Sequence, residues 1–571
     1  MEAKTPNPLD SFDHVVVLML ENRSFDNLLG YLYKDGVPEG KKFEGLQNGN
    51  YENPVPERAV DYTEGAKISP TPTDDYHQPY PDPGEVYQHV NTQLYNTVDA
   101  ENIDVDASKM IAPFNLPNDG VDNPPMNGFV NDYINTLQAL DGKEGKNYNK
   151  PTKEQYNKIM KCFTPESVNV LSTLAKEFAV FDHWFCSVPS QTWCNRAFWH
   201  AAASGEFVIN PIGEEIPLEV SILHPIQSIK NLVGNGEAFR QWTKSVWSQK
   251  SLFDLMKEKG ITYNIYAEQV SLTQFITGSR SLVYTVEKPN PNFDPRNAQD
   301  MSIITESKVH IKTPSPGSNS PLDPFFDDIN NKTLPQYSFI EPKFLNEHND
   351  QHPSSVDSSL FGETRAGTVL LGEKLIWDVY EAIKNSDTYR DNTLLIITYD
   401  EHGGCFDHVP PPKAVPPKAN MVGEKGFKFD RLGVRVPMVM VSSHIEKNTI
   451  INDIFDHTSF IKTMCEKWEM DNLTDRDKNA NSFSHVFSAQ KRSSFPDIPE
   501  PKILESNADY TKDPLNDLQK SILTGAHHTA SMNSNTENLT ENAKDIENVA
   551  TVGGAMEYIK SIIQHIPGGE F

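Results

Sequence analysis

Two apolar runs of strand length end abruptly in polar residues. Residues 15–20 (VVVLML) run into Glu21-Asn22-Arg23-Ser24-Phe25-Asp26, and residues 394–399 (LLIITY) run into Asp400-Glu401-His402-Gly403-Gly404. A continuous apolar run, rather than an alternating one, is what a strand buried on both faces of a parallel sheet requires. Further strand-like runs fall at 261–267, 337–341 and 436–441. Helical spacing appears at 166–178 and 196–203, and again at 367–386, an amphipathic stretch that leads into the 394 strand. The alternation predicts an α/β fold: a mostly parallel sheet flanked by helices on both faces.

Two polar stretches interrupt the pattern. Residues 35–125 are rich in Pro, Gly, Asn and Asp, and 271–323 are punctuated by proline. Loops of that length in a compact domain are usually functional insertions, so both are read that way. After residue 494 the composition changes again. The chain therefore divides into a catalytic domain, 1–494, and a C-terminal region, 495–571. Within the latter, 527–542 reads as a flexible linker. Ile559, Ile562, Ile563 and Ile566 follow at i, i+3, i+4, i+7 spacing. They predict a terminal amphipathic helix that docks back on the domain, a reading favoured over a membrane or partner helix.

Composition narrows the function. The 571 residues can bury a large core. Lys+Arg 51 against Asp+Glu 79 gives a net charge of -28, which argues against nucleic acid as main partner and against simple electrostatic docking on anionic membranes. Five scattered cysteines form neither a disulfide framework nor a zinc spacing. Residues 1–13 show no Sec-type apolar segment, and no apolar stretch is long enough to make a transmembrane segment.

The chemistry concentrates where the strands end. Ligands of open α/β sheets bind beyond the carboxyl ends of strands. Asp400 and Glu401, with Glu21 and Asn22, offer the oxygens that hard divalent cations prefer, while zinc accepts carboxylates and histidines. Alone, Glu21-Asn22 would serve equally as a turn or helix cap. A third segment, Pro189-Ser190-Gln191-Thr192-Trp193-Cys194-Asn195-Arg196, places Thr192 near a helix N-terminus, where free N–H groups favour a phosphate or an alkoxide. Thr192 as an ordinary N-cap is the plainer alternative. Arg196, one turn on, is a candidate phosphate fork. Cys194 and Cys405 read as small hydrophobes rather than thiolate ligands, and the proline tract 410–417 as a stiff rim loop rather than a partner ligand.

Taken together, ENRSFD, PSQTWCNR and YDEHGGCFDHVPPP resemble the phosphoesterase family of non-specific, phosphatidylcholine-preferring phospholipases C, which also holds a bacterial acid phosphatase. Asn349-Asp350-Gln351-His352-Pro353, Arg435-Val436-Pro437 and Asp456-His457-Thr458-Ser459 extend the resemblance over residues 13–468. It implies a three-layer, alkaline-phosphatase-like fold with long loop insertions. It also implies metal ligation by Glu21, Asn22, Asp400 and Glu401, with Thr192 as the nucleophile at the metal and His352 lining the phosphate pocket. His402, His408 and His457 then stand as supporting histidines. The cofactor implied is one divalent metal ion, with zinc as the expectation. The chain departs from the family form GPTWPNR at Ser190, Gln191 and Cys194. Family members often carry a histidine after Asp-Pro-x; here Asp82-Pro83-Gly84 is followed by Glu85, with His89 four residues on, and either stands as the substitute.

The resulting expectation is a metal-dependent phospholipase C acting on a phospholipid substrate at a membrane surface. It would cleave the phosphodiester of glycerophospholipids such as phosphatidylcholine to diacylglycerol and phosphorylated head group, through a phosphothreonine intermediate. The alternatives are an acid phosphatase, or a catalytically inactive effector or binding protein. Because a lipid-degrading enzyme endangers its producer, secretion by a non-Sec route is expected, with a cytoplasmic location otherwise.

Overall fold

The computed structural model describes residues 7–103, 105, 107–117, 122–140, 150–211, 236–278, 311–312, 322–354, 365–503, 506–533 and 549–562. Its centre is an eight-stranded sheet: β1 (His14–Leu20), β2 (Ala179–Phe181), β3 (Tyr263–Ala267), β4 (Ile311–Lys312), β5 (Tyr337–Glu341), β6 (Thr393–Tyr399), β7 (Met438–Val441) and β8 (Thr449–Ile451). The strand order is β8-β2-β7-β6-β1-β5-β3-β4. β1 lies in the middle, parallel to both β5 and β6, with Val17 opposite Phe339 on one side and Ile396 on the other. Only β7 runs against its neighbours. Every residue of β6 is buried, and all of β1 except His14, which is the two-sided burial that their continuous apolar runs predict.

Eight helices position the site and its surroundings: α1 (Tyr87–Tyr95), α2 (Phe129–Ala139), α3 (Asn169–Glu177), α4 (Thr192–Ala201), α5 (Thr368–Lys384), α6 (His457–Trp468), α7 (Asp517–Asn533) and α8 (Val552–Ile562). Against the sheet, α3 packs on α5 and α4 packs on α6. α4 starts at Thr192, four residues before the helical spacing at 196 suggests. The stretch 35–125 is structured: it holds α1, whose partner is α2. In 271–323, Leu272–Thr277 is helical, and residues 279–310 and 313–321 lie outside the described residues.

One expectation fails in part. Residues 527–533 are no linker but the last turns of α7, and 534–542 lie outside the described residues. Leu518, Ile522, Ala526 and Ala530 recur at i, i+4, i+8, i+12 and are fully buried, so an apolar stripe overrides the Thr, Ser and Asn between them. α8 docks back as expected, burying Val552, Ala555, Ile559 and Ile562, while Ile563 and Ile566 fall outside the described residues. Both helices share an apolar cluster with Trp193, Phe198, Trp242 and Phe275, so the C-terminal region shares a core with α4. Among the described residues no helix is long and apolar enough to cross a membrane.

The loops that follow β1 and β6 are locked together by a buried guanidinium. Arg435 bonds Asp26 and Asp407 at 3.0 Å each and reaches the carbonyls of Glu44 and Asp182 at 2.9 and 2.7 Å. His408 joins the same network, 2.5 Å from Asp26 and 3.1 Å from Glu44. Burial works against the imidazolium, but Asp26 and Glu44 outweigh it and push His408 up to about 9. Its contribution to stability is therefore complete below the unfolded value of about 6.5 and is lost as pH rises through about 9. Denaturant unfolding at pH 6 and pH 9.5 should show a loss on the order of 2 kcal/mol from this pair. His408→Gln should flatten that step.

Candidate active site

β1 and β6 pair down to Leu20 and Tyr399, so the residues that follow leave the sheet side by side. Their backbones interlock: the Asp400 N–H donates to Leu20 O at 3.2 Å and the Arg23 N–H to Glu401 O at 3.0 Å. The Asn22 N–H donates to Asp400 Oδ1 at 3.0 Å. Asn22 sits at φ 53°, a left-handed conformation that asparagine tolerates. The turn after Glu401 approaches it so closely that a Cβ on Gly403 would lie 2.2 Å from Asn22 O, and Gly403 itself has φ +60°. Only glycine fits there. The Gly403 N–H in turn holds Glu401 Oε2 at 2.7 Å.

Thr192 enters from the other side as the first residue of α4, with Gln191 at the cap position. Asn195 braces the preceding loop, accepting from the Val188 N–H at 3.0 Å and donating to Ser190 O at 2.8 Å. The Thr192 hydroxyl donates to Glu21 Oε2 at 3.2 Å. Arg196 lies beneath, bonded to Glu21 Oε1 and to Met19 O, and 3.8 Å from Glu341. Its charge faces carboxylates and it buttresses Glu21, while Nε and Nη1 are buried without a hydrogen-bond partner.

The early insertion closes the cluster. Glu85 accepts from Asn22 Nδ2 and, at 3.2 Å, from Gln191 Nε2. Of the two substitutes considered, Glu85 is the one at the site; His89 is turned away onto Asp132 at 2.7 Å. Asp350 is joined through its carbonyl, which accepts from the Glu21 N–H at 2.8 Å. Its carboxylate holds the His352 N–H at 2.9 Å. His352 donates through Nδ1 to Pro353 O at 2.9 Å. Its Nε2 is buried without a hydrogen-bond partner, and Asp82 Oδ2 stands 3.8 Å from Nδ1.

The remaining motif histidines support the loops. His457 donates from Nε2 to Asp400 O at 2.6 Å and accepts at Nδ1 from the Trp184 indole at 3.3 Å, which fixes its tautomer; burial lowers its pKa. His402 donates to Gln93 at 2.8 Å and burial lowers it to about 3. Both are neutral.

Glu21, Glu85, Asp400 and Glu401 are thus buried together. Burial pushes the Glu21 carboxyl well above the usual range, with Asp400 adding repulsion that Arg196 opposes. Burial and the neighbouring Glu85 and Asp400 do the same to Glu401, and burial with the charge of Asp517 takes Glu85 up to about 8. Asn22 Oδ1, Asp400 Oδ2 and Glu401 Oε1 are buried with no partner. Orphaned oxygens beside crowded carboxylates fit a hard divalent cation. The trio Asp26, Asp407 and His408, whose ligand-type atoms lie within 4.8 Å of one another, does not fit one. Arg435 already supplies its counter-charge.

Sequence reasoning did not assign Asp82, Gln191, Glu341 or Asp350, which come from loops and strand ends without a distinctive spacing. It also missed α7. The Trp193 indole, next to Thr192, donates to Ser521 at 3.0 Å, and Asp517 at the start of α7 is close enough to raise Asp82 and Glu85.

This geometry has relatives. Non-specific phospholipase C6 of Arabidopsis thaliana is 30% identical over 493 residues, covering 83% of this chain and 72% of its own. Non-specific phospholipase C3 of the same plant is 27% identical, covering 90% and 81%. Phospholipase C B of Mycobacterium tuberculosis (strain ATCC 25618 / H37Rv) is 25% identical, covering 60% of each. A solved structure described as a protein in the alkaline phosphatase superfamily from Vibrio parahaemolyticus overlaps 55% of this chain and 66% of its own at 14% identity, with a TM-score of 0.28. The profile of the phosphoesterase family matches residues 12–471, a span that takes in β1, β6, α4 and every loop of the cluster, and the chain belongs to that family.

Proposed function

We propose that this phosphoric diester hydrolase is a metal-dependent phospholipase C, with Thr192 as its nucleophile. The observation that carries the reading is the Thr192 hydroxyl at the first position of α4, 3.2 Å from Glu21, inside a carboxylate cluster that lacks a matching counter-charge. The names of the relatives, phospholipases C of plants and of a bacterium, favour a phospholipid diester over a phosphomonoester. An inactive effector would have no use for Glu21, Asn22, Thr192, Asp400 and Glu401 buried together where two strands end.

Glu21, Asn22, Asp400 and Glu401 would hold the cation, with Glu85 beside them and Thr192 facing it. Bound there, a divalent cation stabilises an alkoxide and draws charge from phosphoryl oxygens. The donors are all oxygen, which suits a hard ion such as magnesium, manganese or calcium better than the zinc expected from the sequence.

The protein's own groups do the rest. Glu21, held by Arg196, accepts the Thr192 proton and aims the oxygen at phosphorus. The dipole of α4, with Thr192 at its first position, favours the developing negative charge. Thr192 attacks in line, diacylglycerol leaves, and the head group stays on threonine as a phosphodiester. Asp82, which burial raises to about 8, stands 3.8 Å from His352 Nδ1, whose own proton is held by Pro353 O. The imidazolium form of His352 gives its Nε2 proton to the leaving oxygen and keeps the one on Nδ1. Water then displaces threonine and releases the phosphorylated head group.

Three outcomes follow. Thr192→Ala should lower phosphatidylcholine hydrolysis by at least about 10³-fold and chelation should abolish it, whereas turnover of p-nitrophenyl phosphate alone would place the protein on the phosphatase branch. His352→Ala should cost about 10²–10⁴-fold on phosphatidylcholine and much less on p-nitrophenyl phosphocholine, whose leaving group needs no proton. Glu401→Gln should weaken metal affinity by about 10–100-fold or more in calorimetric titration of the chelator-stripped protein.

A further inference from the structure

Two loops at the rim of the site hold large aliphatic side chains in solvent. Ile103, Ile111 and Val422 are 41%, 54% and 55% exposed. The first loop is tied to the site through Val86, the residue after Glu85. Val86 packs against Ala107 and Met110, and Met110 immediately precedes Ile111.

This loop is framed by polar bonds rather than by apolar collapse. Asn102, fully buried, donates to Ile111 O at 3.0 Å and accepts from the Ile111 N–H at 2.9 Å, which sets Ile103 beside Ile111. Asn115, also fully buried, accepts from the Asp99 N–H at 3.1 Å and donates to Thr92 Oγ1 on α1 at 2.9 Å. The result is an Ile-Ala-Pro tip, with Ala112 and Pro113 exposed too. Presenting it on a fixed frame means that its ordering cost is met before any partner arrives.

The second loop lies against the first. Lys425 Nζ sits 4.8 Å from the Phe114 ring, and Phe427 packs on Tyr87 at 5.4 Å. Residues 411–429 contain Lys413, Lys418, Lys425 and Lys428 against one carboxylate, Glu424, in a chain of net charge -28. Glu424 is turned inward and takes the N–H groups of Val208 and Ile209 at 2.9 and 3.2 Å. This second loop is thus basic and apolar on an acidic protein, whereas the first carries Asp99 and Glu101.

We propose that this rim is a docking surface for a phospholipid bilayer: Ile103, Ile111 and Val422 enter the interface while Lys418, Lys425 and Lys428 meet lipid phosphates. The proposal rests on the phospholipase reading above. Prominent aliphatic tips interleaved with lysines suit a membrane interface, which rewards buried apolar area and nearby cationic charge. They suit a protein partner less well, since that calls for a complementary patch of larger area.

The test is sedimentation of the full chain, in a Thr192→Ala background so that lipid stays intact, with vesicles of phosphatidylcholine containing a minority of phosphatidylglycerol. Ile111→Ser and Val422→Ser should each lower partitioning about tenfold and together about a hundredfold. Ile503→Ser, 37% exposed on another segment, should leave it at the parent value, and unchanged thermal midpoints confirm that the variants are folded. Hydrolysis of monomeric short-chain phosphatidylcholine by the wild type is read in parallel. Rim-dependent vesicle binding sustains the docking surface, and absent hydrolysis then counts against the phospholipase reading alone. Equal binding by parent and double variant, or no vesicle binding at all, overturns the docking surface even where the short-chain lipid is cleaved.

Discussion

Four carboxylates buried at one strand edge are the constraint around which this molecule is arranged. Glu21, Glu85, Asp400 and Glu401 come from three separate segments, and dehydration and like charge raise Glu21, Glu85 and Glu401 above the usual carboxylate range. Within the protein, Arg196 offsets Glu21 directly and Asp400 and Glu341 at longer range. An arrangement of that kind persists when it belongs to a fuller set of charges, which is the physical case for a cation and for chemistry at the Thr192 hydroxyl. The Arg435 cluster makes the contrast. There the carboxylates of Asp26 and Asp407 meet a guanidinium and an imidazolium, every charge is answered, and the network serves to hold the two ligand-bearing loops in register.

Much of this was legible in the chain because burial leaves a mark on composition. β1 and β6 had to be continuously apolar, so the abrupt change to Glu21-Asn22 and Asp400-Glu401 announced both the strand ends and the donors. The reason for Gly403 shows only in the fold, where the turn closes on Asn22 O. Residues whose role depends on how distant loops fold back were not legible. Glu85 and His89 looked interchangeable in sequence, and only the pairing of His89 with Asp132 separates them. Thr192 looked like a cap, yet Gln191 takes that position. Arg196 looked like a phosphate fork, yet its guanidinium faces Glu21 and Glu341.

The C-terminal region shows the same limit from another side. Residues 527–533 are polar enough to read as linker, but α7 needs only one small apolar stripe to pack, and alanines at 526 and 530 supply it. That packing brings Ser521 to Trp193 and Asp517 toward Glu85, so a segment that composition sets apart shares the core beneath α4. Overall charge misleads in a similar way. A net charge of -28 speaks against electrostatic attraction to membranes, whereas the loop 411–429 alone carries four lysines against one carboxylate.

The central claim is that the Thr192 oxygen makes a covalent bond to phosphorus. The most direct measurement is acid quenching of the metal-loaded enzyme during turnover of phosphatidylcholine, followed by mass spectrometry of the peptide that spans the start of α4. That peptide should carry phosphocholine esterified to Thr192, and the chelated enzyme should yield none. Sustained turnover with Thr192 unmodified at every quench time, or the adduct on another side chain, would contradict it.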